Sequence, residues 1–424
     1  MTSQTRLTFH LPLPAFALAT LALLTMTATT PALAQTFSVL YALTGGAEGQ
    51  SPNGVTIGGP GLFYGTTFEG GTHGWGTAFK LTQRGSGWTL SPLYEFTGGS
   101  DGGLPLAGVT VGPNGAVYGT TFQGGSSNEG TVFELQPPAA ACKTAVCYWN
   151  ETVLHSFTGD ANDGGEPQNG DLIFDQAGNI YGTTLGGGTG GAGTVFELSP
   201  SGGGWTLSLL HSFYDNGTDG WYPRFGLIFD SAGNLYSSTE YGGTAEGGTV
   251  FELSPSGGTW TEDILHNFPL DGAGYPANPG ALVMDRSGNL YGSNATSDYS
   301  SNSTVFELTP SDGSWIFSTL YTFARYDCYP QPVAMDAAGH IYGLCNSGGL
   351  YGWGWVFKLT NSNGSWTLTH LYDFTGQSDG GNPSGPVVLD SSGNLYGATT
   401  TRGNLSDCIG YETAGCGTIW EITP

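Results

Sequence analysis

The tetrapeptide Tyr-Gly-Thr-Thr starts at Tyr64, Tyr118 and Tyr181 and returns in altered form at Tyr236, Tyr291, Tyr342 and Tyr396. Successive tyrosines are 54, 63, 55, 55, 51 and 54 residues apart. A period of this length, held seven times, constrains the chain more than any other feature, because each unit must be one supersecondary motif that completes its core against its neighbours. The one long interval is explained by an insertion, Pro137 to Tyr148, carrying Cys142 and Cys147.

Each unit reads as four strands. In the third, Asp171 to Asp175 leads through a Gln-Ala-Gly-Asn turn into Ile180-Tyr-Gly-Thr-Thr184. A glycine-rich loop follows, then Thr194-Val-Phe-Glu-Leu198, a Pro-Ser-Gly turn and Trp205 to Phe213. Short β-branched and aromatic runs bounded by Gly, Asn and Pro are strand and turn signals, and helical periodicity is absent. The last unit lacks its fourth strand, whereas Thr36 to Leu43 resembles the fourth strands at Leu93–Phe96 and Leu371–Phe374. An N-terminal strand that completes the C-terminal sheet closes a ring and leaves no long edge exposed. The expected fold is all-β: a seven-bladed β-propeller of four-stranded antiparallel blades, a single domain over residues 35–424.

Residues 1–34 are expected to be a secretory leader. Arg6 and His10 precede an apolar run, Phe16 to Met26, too short to span a bilayer, and Pro31-Ala-Leu-Ala34 fits a cleavage site. The six cysteines are expected to pair with their near neighbours, Cys142 with Cys147, Cys328 with Cys345 and Cys408 with Cys416, in a secreted or periplasmic setting. No CxxC occurs, so zinc on cysteines is not expected. A net charge of −25 argues against nucleic acid and anionic membrane surfaces as partners. A monomer without membrane insertion is expected.

The linked motifs Leu-Tyr-x-Phe, Asp-Gly-x-x-Pro, Asp-x-x-Gly-Asn-Leu-Tyr-Gly-Thr-Thr and Gly-Thr-Val-Phe-Glu-Leu resemble the GloVer tandem-repeat proteins of bacteria over nearly the whole chain. The resemblance implies an exported repeat protein; it brings no catalytic residues.

Repetition itself sorts the candidate residues. Glu48, Asp101, Asp163, Asp219, Asp271, Asp327 and Asp379 recur once per unit on one face, called the top. They read either as a calcium mouth or as acids holding their own turns. Asp215-Asn-Gly-Thr-Asp219-Gly220 resembles the opening of a calcium loop, but Gly226 stands where a closing Glu belongs. Asp175, Asp230, Asp285, Asp336 and Asp390 fall in hairpin turns on the other face, and Trp88, Trp149, Trp205, Trp260, Trp315 and Trp366 read as core.

Departures from the repeat are richer in candidates. Tyr326, Tyr329, Tyr351 and Trp353 of repeat six, Arg402 of repeat seven, and His73 and Trp75 of repeat one are expected to form a top-face platform for a glycan or protein ligand. A rival cluster is Trp221, Arg224 and Glu240 in repeat four; Tyr222, Tyr241, Asp298, Tyr299, Tyr411 and Glu412 are further departures. Three functional classes remain: a non-catalytic recognition propeller, a carbohydrate-active hydrolase or lyase using Glu69, Glu240 or the acid ring, and a calcium-stabilised structural protein. No catalytic residue or cofactor is assigned, calcium being the one ion considered.

Overall fold

The computed structural model describes residues 1–2, 35–139, 147–271, 273–295, 302–405, 408 and 415–424. Most of the expected leader, Cys142, Asp298, Tyr299, Tyr411 and Glu412 lie outside the described residues. One compact unit spans Gln35–Pro424.

Seven antiparallel sheets, most of them four-stranded, form the blades of a β-propeller. In blade 3 the strands from the centre outward are Ile173–Phe174, Ile180–Thr184, Thr194–Ser201 and Gly204–Ser212. The N-terminal strand Thr36–Ala42 pairs antiparallel with Thr418–Thr423 and becomes the outermost strand of blade 7. It carries the same register shift as every other outer strand. The unpaired residue at that bulge is Leu in each blade: Leu40, Leu93, Leu154, Leu210, Leu265, Leu320 and Leu371. A bulge adds twist and re-aims side chains, so the Leu packs inward while the aromatic residue after it turns toward the top loop.

The Tyr-Gly-Thr-Thr motif resolves into four separate jobs. The Tyr hydroxyl donates to the bottom-turn acid, as Tyr181 does to Asp175 at 3.1 Å. The Gly lies under the Phe of the next strand; a Cβ at Gly182 would sit 2.6 Å from Phe196 Cζ. The first hydroxyl stitches blades together, Thr66 donating to the Ala107 carbonyl and Ser238 to that of Pro279. The second pairs within the blade, as in Thr67–Thr77 at 2.9 Å and Thr184–Thr194 at 2.7 Å. In blade 6 this last bond is replaced by the Cys328–Cys345 disulfide, and Trp355 occupies the partner Thr position, its Nε1–H donating to the Asp327 carbonyl at 2.9 Å.

The bottom-turn acids are structural. Asp175 Oδ1 accepts the Ala177 and Asn179 N–H groups and its Oδ2 accepts the Asn179 amide, a pattern repeated at Asp230, Asp285 and Asp390. Apolar burial is concentrated at the seams between blades; Leu43, Phe63, Tyr396 and Ile419 close the seam between blades 7 and 1. Of the recurring tryptophans, Trp149 is buried, while Trp88, Trp205, Trp260, Trp315 and Trp366 are half-buried lids over these seams. Cys408 pairs with Cys416. The disulfides belong to an oxidising, non-cytoplasmic compartment, and no helix among the described residues is long and apolar enough to cross a membrane.

Candidate ligand site at the centre of the top face

The top loops turn inward at each blade. Their short ribbons, such as Gly164–Gly165 with Gly186–Gly187 and Gly220–Trp221 with Tyr241–Gly242, carry the chain from the rim to the propeller axis. There they enclose a cavity of about 380 Å3, lined by residues of all seven blades, within the range of small-molecule sites. Its charged lining consists of Arg224, Glu240 and Asp171.

Arg224 and Glu240 come from the two top loops of blade 4 and approach to 3.6 Å. Both are held by their backbones: the Asn169 N–H of blade 3 donates to the Arg224 carbonyl, and the Glu240 N–H donates to the Tyr222 carbonyl. Behind them Trp221 and Tyr241 stack with ring centroids 4.4 Å apart, which stiffens both loops. Burial pushes the Glu240 carboxyl upward against the opposing pull of Arg224. The Arg224 Nε and the Asn278 Oδ1 are buried with no hydrogen-bond partner, and both residues line the cavity.

Asp171 is the residue that inspection of the sequence overlooked. It stands two residues before the innermost strand of blade 3, where the other blades place Gly54, Gly108, Gly226, Ala281, Pro332 and Pro386. One acid in a ring of small residues is a departure visible once these positions are aligned, but it hides in an otherwise regular unit. The small neighbours make room for it: a Cβ on Gly108 would lie 2.9 Å from Asp171 Oδ1. Asp171 is walled in by protein yet still reached by solvent from the cavity, and burial pushes its carboxyl up to about 6 despite a hydrogen bond from the Gly108 N–H.

The seven residues expected to form a platform are distributed differently. Tyr329 lines the central cavity, next to the Cys328–Cys345 disulfide. Trp353 lies at the seam between blades 6 and 7, where Gly376, at φ +71, would clash with it at 2.4 Å if it bore a Cβ, and the Arg402 guanidinium sits 4.0 Å from its ring centroid. Trp75 makes the equivalent contact one seam beyond blade 1, over Gly98 and Gly103 of blade 2. Tyr326 and Tyr351 are exposed, with Arg325 over the Tyr326 ring, and His73 is exposed beside Trp75. Thus Trp353 and Arg402 meet, whereas Trp75 and His73 belong to a different seam.

The recurring top acids mostly bond their own loops. Asp379 accepts the Thr375 N–H and hydroxyl, Asp101 those of Thr97, and Glu48 those of Thr44.

The family model of the Gloeobacter/Verrucomicrobia repeat matches residues 25–151, 147–334 and 278–424. The chain belongs to this repeat family. No curated protein matches it. Among solved structures, this repeat protein is similar to the extracellular domain of a protein assigned as a one-component system of B. thetaiotaomicron, at 11% identity and a TM-score of 0.52, over 92% of this chain and 40% of the other. An aldose sugar dehydrogenase from Streptomyces coelicolor matches at 12% identity and TM-score 0.45, over 92% and 98% of the two chains. A gluconolactonase from Xanthomonas campestris matches at 12% and 0.40, over 73% and 82%. At such identities the likeness is one of fold alone.

Proposed function

We propose that this repeat protein is an exported recognition propeller that takes a neutral, hydroxyl-rich ligand, an oligosaccharide end or a small saccharide, into the central cavity of its top face. The observation that carries the reading is the pair of buried, unpartnered polar atoms in the lining, one donor at Arg224 Nε and one acceptor at Asn278 Oδ1. A buried polar atom without a partner is costly, and a ligand that both donates and accepts hydrogen bonds relieves that cost. Arg224 balances Glu240 and the remaining carboxyl, Asp171, disfavours anions, so the lining suits an uncharged ligand, and Phe68 and Tyr329 supply apolar faces for a sugar ring.

A glycan panel followed by calorimetry tests this. Arg224→Met, Asn278→Ala and Tyr329→Ala should each weaken binding about tenfold or more, with thermal transitions close to that of the wild type. Undiminished binding in all three would move the site elsewhere, the exposed Tyr326 and Tyr351 being the next surface to examine.

One observation favours a second reading. Asp171 and Glu240 place two carboxyl groups in one cavity: burial raises Asp171 toward the protonated form a general acid needs, while the Arg224 guanidinium beside Glu240 favours the ionised form that a base or nucleophile needs. Reducing-sugar release that disappears in both Asp171→Asn and Glu240→Gln would select it over simple binding.

A further inference from the structure

Every outer strand places one ring at the top of a seam, directly after its bulged Leu: Tyr41, Tyr94, His155, His211, His266, Tyr321 and Tyr372. The outer strand of the following blade contributes a second residue, two positions past its tryptophan. At most seams this is apolar, namely Leu90, Leu207, Phe317, Leu368 or, in the N-terminal strand, Phe37. His266 accordingly stacks on Phe317 at 4.1 Å and Tyr372 on Phe37 at 3.6 Å. Two seams carry Glu instead. At one, Glu151 faces Tyr94, a phenol; at the other, Glu262 faces His211, an imidazole.

The seam between blades 3 and 4 departs from the repeat a second time. In four of the other loops the top acid is satisfied by a threonine four or five residues earlier, through both its N–H and its hydroxyl: Thr44 for Glu48, Thr97 for Asp101, Thr158 for Asp163 and Thr375 for Asp379, whereas the loops of Asp271 and Asp327 have Pro269 and Ala324 in its place. Here the threonine is replaced by Tyr214. Its N–H still donates to Asp219 Oδ2 at 3.0 Å, but its hydroxyl is engaged with Thr189 at 2.6 Å. Asp219 Oδ1 is therefore left without a partner, in a side chain only 9% exposed. His211 Nε2 lies 3.5 Å from Asp219 and 3.6 Å from Glu262, outside good hydrogen-bond range of either, and it and Glu262 Oε1 are likewise buried and unpartnered.

We infer that His211, Asp219 and Glu262 form a binding site for a divalent transition-metal cation, zinc foremost. Ligand atoms of all three lie within 4.8 Å of one another, and among the described residues this is the group of three such side chains so placed. Separations near 3.5 Å match the edge of a coordination polyhedron with bonds of about 2.1 Å. One imidazole with two carboxylates suits zinc better than calcium or magnesium, which take oxygen donors. Two carboxyl groups close to each other in a half-dry seam also gain from a cation between them. The ion would clamp the outer strands of two blades and fix the start of the loop Asp219 to Arg224, which delivers Arg224 to the central cavity. Its role is thus structural support of the ligand site.

The test uses untagged protein stripped with chelator, titrated with zinc by calorimetry and followed by thermal melting. Glu262→Leu and His211→Tyr install residues that sister blades already carry at these positions, so both variants should fold. The wild type should bind one zinc per chain and melt about 3 °C higher at a hundredfold excess over Kd, with calcium producing no shift; each variant should lose the site and the shift. Zinc uptake undiminished in both variants, or a wild-type transition indifferent to zinc, would overturn the assignment.

Discussion

Single residues in this protein are best understood by what their counterparts in sister blades do. Asp171 stands where other blades have Gly, Ala or Pro, and its carboxyl is raised from 3.8 to about 6 by burial. A raised acid binds its proton more tightly in the folded than in the unfolded chain. Its ionisation therefore costs stability, which falls as pH rises from about 4 to 6 and stays lost above. Asp171→Asn should remove that dependence and raise stability at pH 7 by about 1–2 kcal/mol, read as a higher melting temperature at neutral pH and no difference near pH 4. A variant less stable at pH 7 would show that the carboxylate makes contacts that offset its burial. Trp353 illustrates the opposite lesson. As a sequence it reads as an exposed ring on a loop, yet its ring covers Gly376 and lies beneath Arg402, contacts between residues on different blades that no single repeat displays.

At the level of elements, the strand that matters most is the first. Thr36–Ala42 brings Phe37 onto Tyr372, Leu40 and Tyr41 onto the core between blades 7 and 1, and fully buried Leu43 behind them. Deleting residues 36–43 would strip the edge of Thr418–Thr423 and open that seam. The expected result is aggregation on size-exclusion chromatography and loss of a cooperative melt; an unchanged transition would mean that the ring does not depend on this closure. The strand is legible in the sequence because its Leu-Tyr-x-Leu ending copies the other outer strands. The bulge that makes the Leu point inward is not, because alternation read along the chain assigns one face to every second residue and a bulge breaks that count.

For the whole molecule, stability comes from seven similar seams, and the disulfides are local additions to it. Cys328–Cys345 and Cys408–Cys416 span 17 and 8 residues, so each contributes about 2–3 kcal/mol at most. Reduction should lower the melting temperature by roughly 3–7 °C while leaving the β-sheet circular dichroism spectrum intact; unfolding on reduction would show that closure depends on the bridges. The sequence alone determined the number of blades, their four-strand composition and the way the ring closes, because each is a pattern repeated along the chain and repetition is local information. The bottom-turn acids were legible for the same reason, whereas the pairing of the recurring threonines was not. Only the tertiary structure decided where a site could lie. Arg224, Glu240, Asn278, Asp171 and Tyr329 belong to four blades and meet because loops from the whole ring converge on its axis. His211 and Glu262 come together because outer strands of consecutive blades pack side by side. Proximity across a seam or across the axis is set by closure of the ring, and closure relates residues that are distant in sequence.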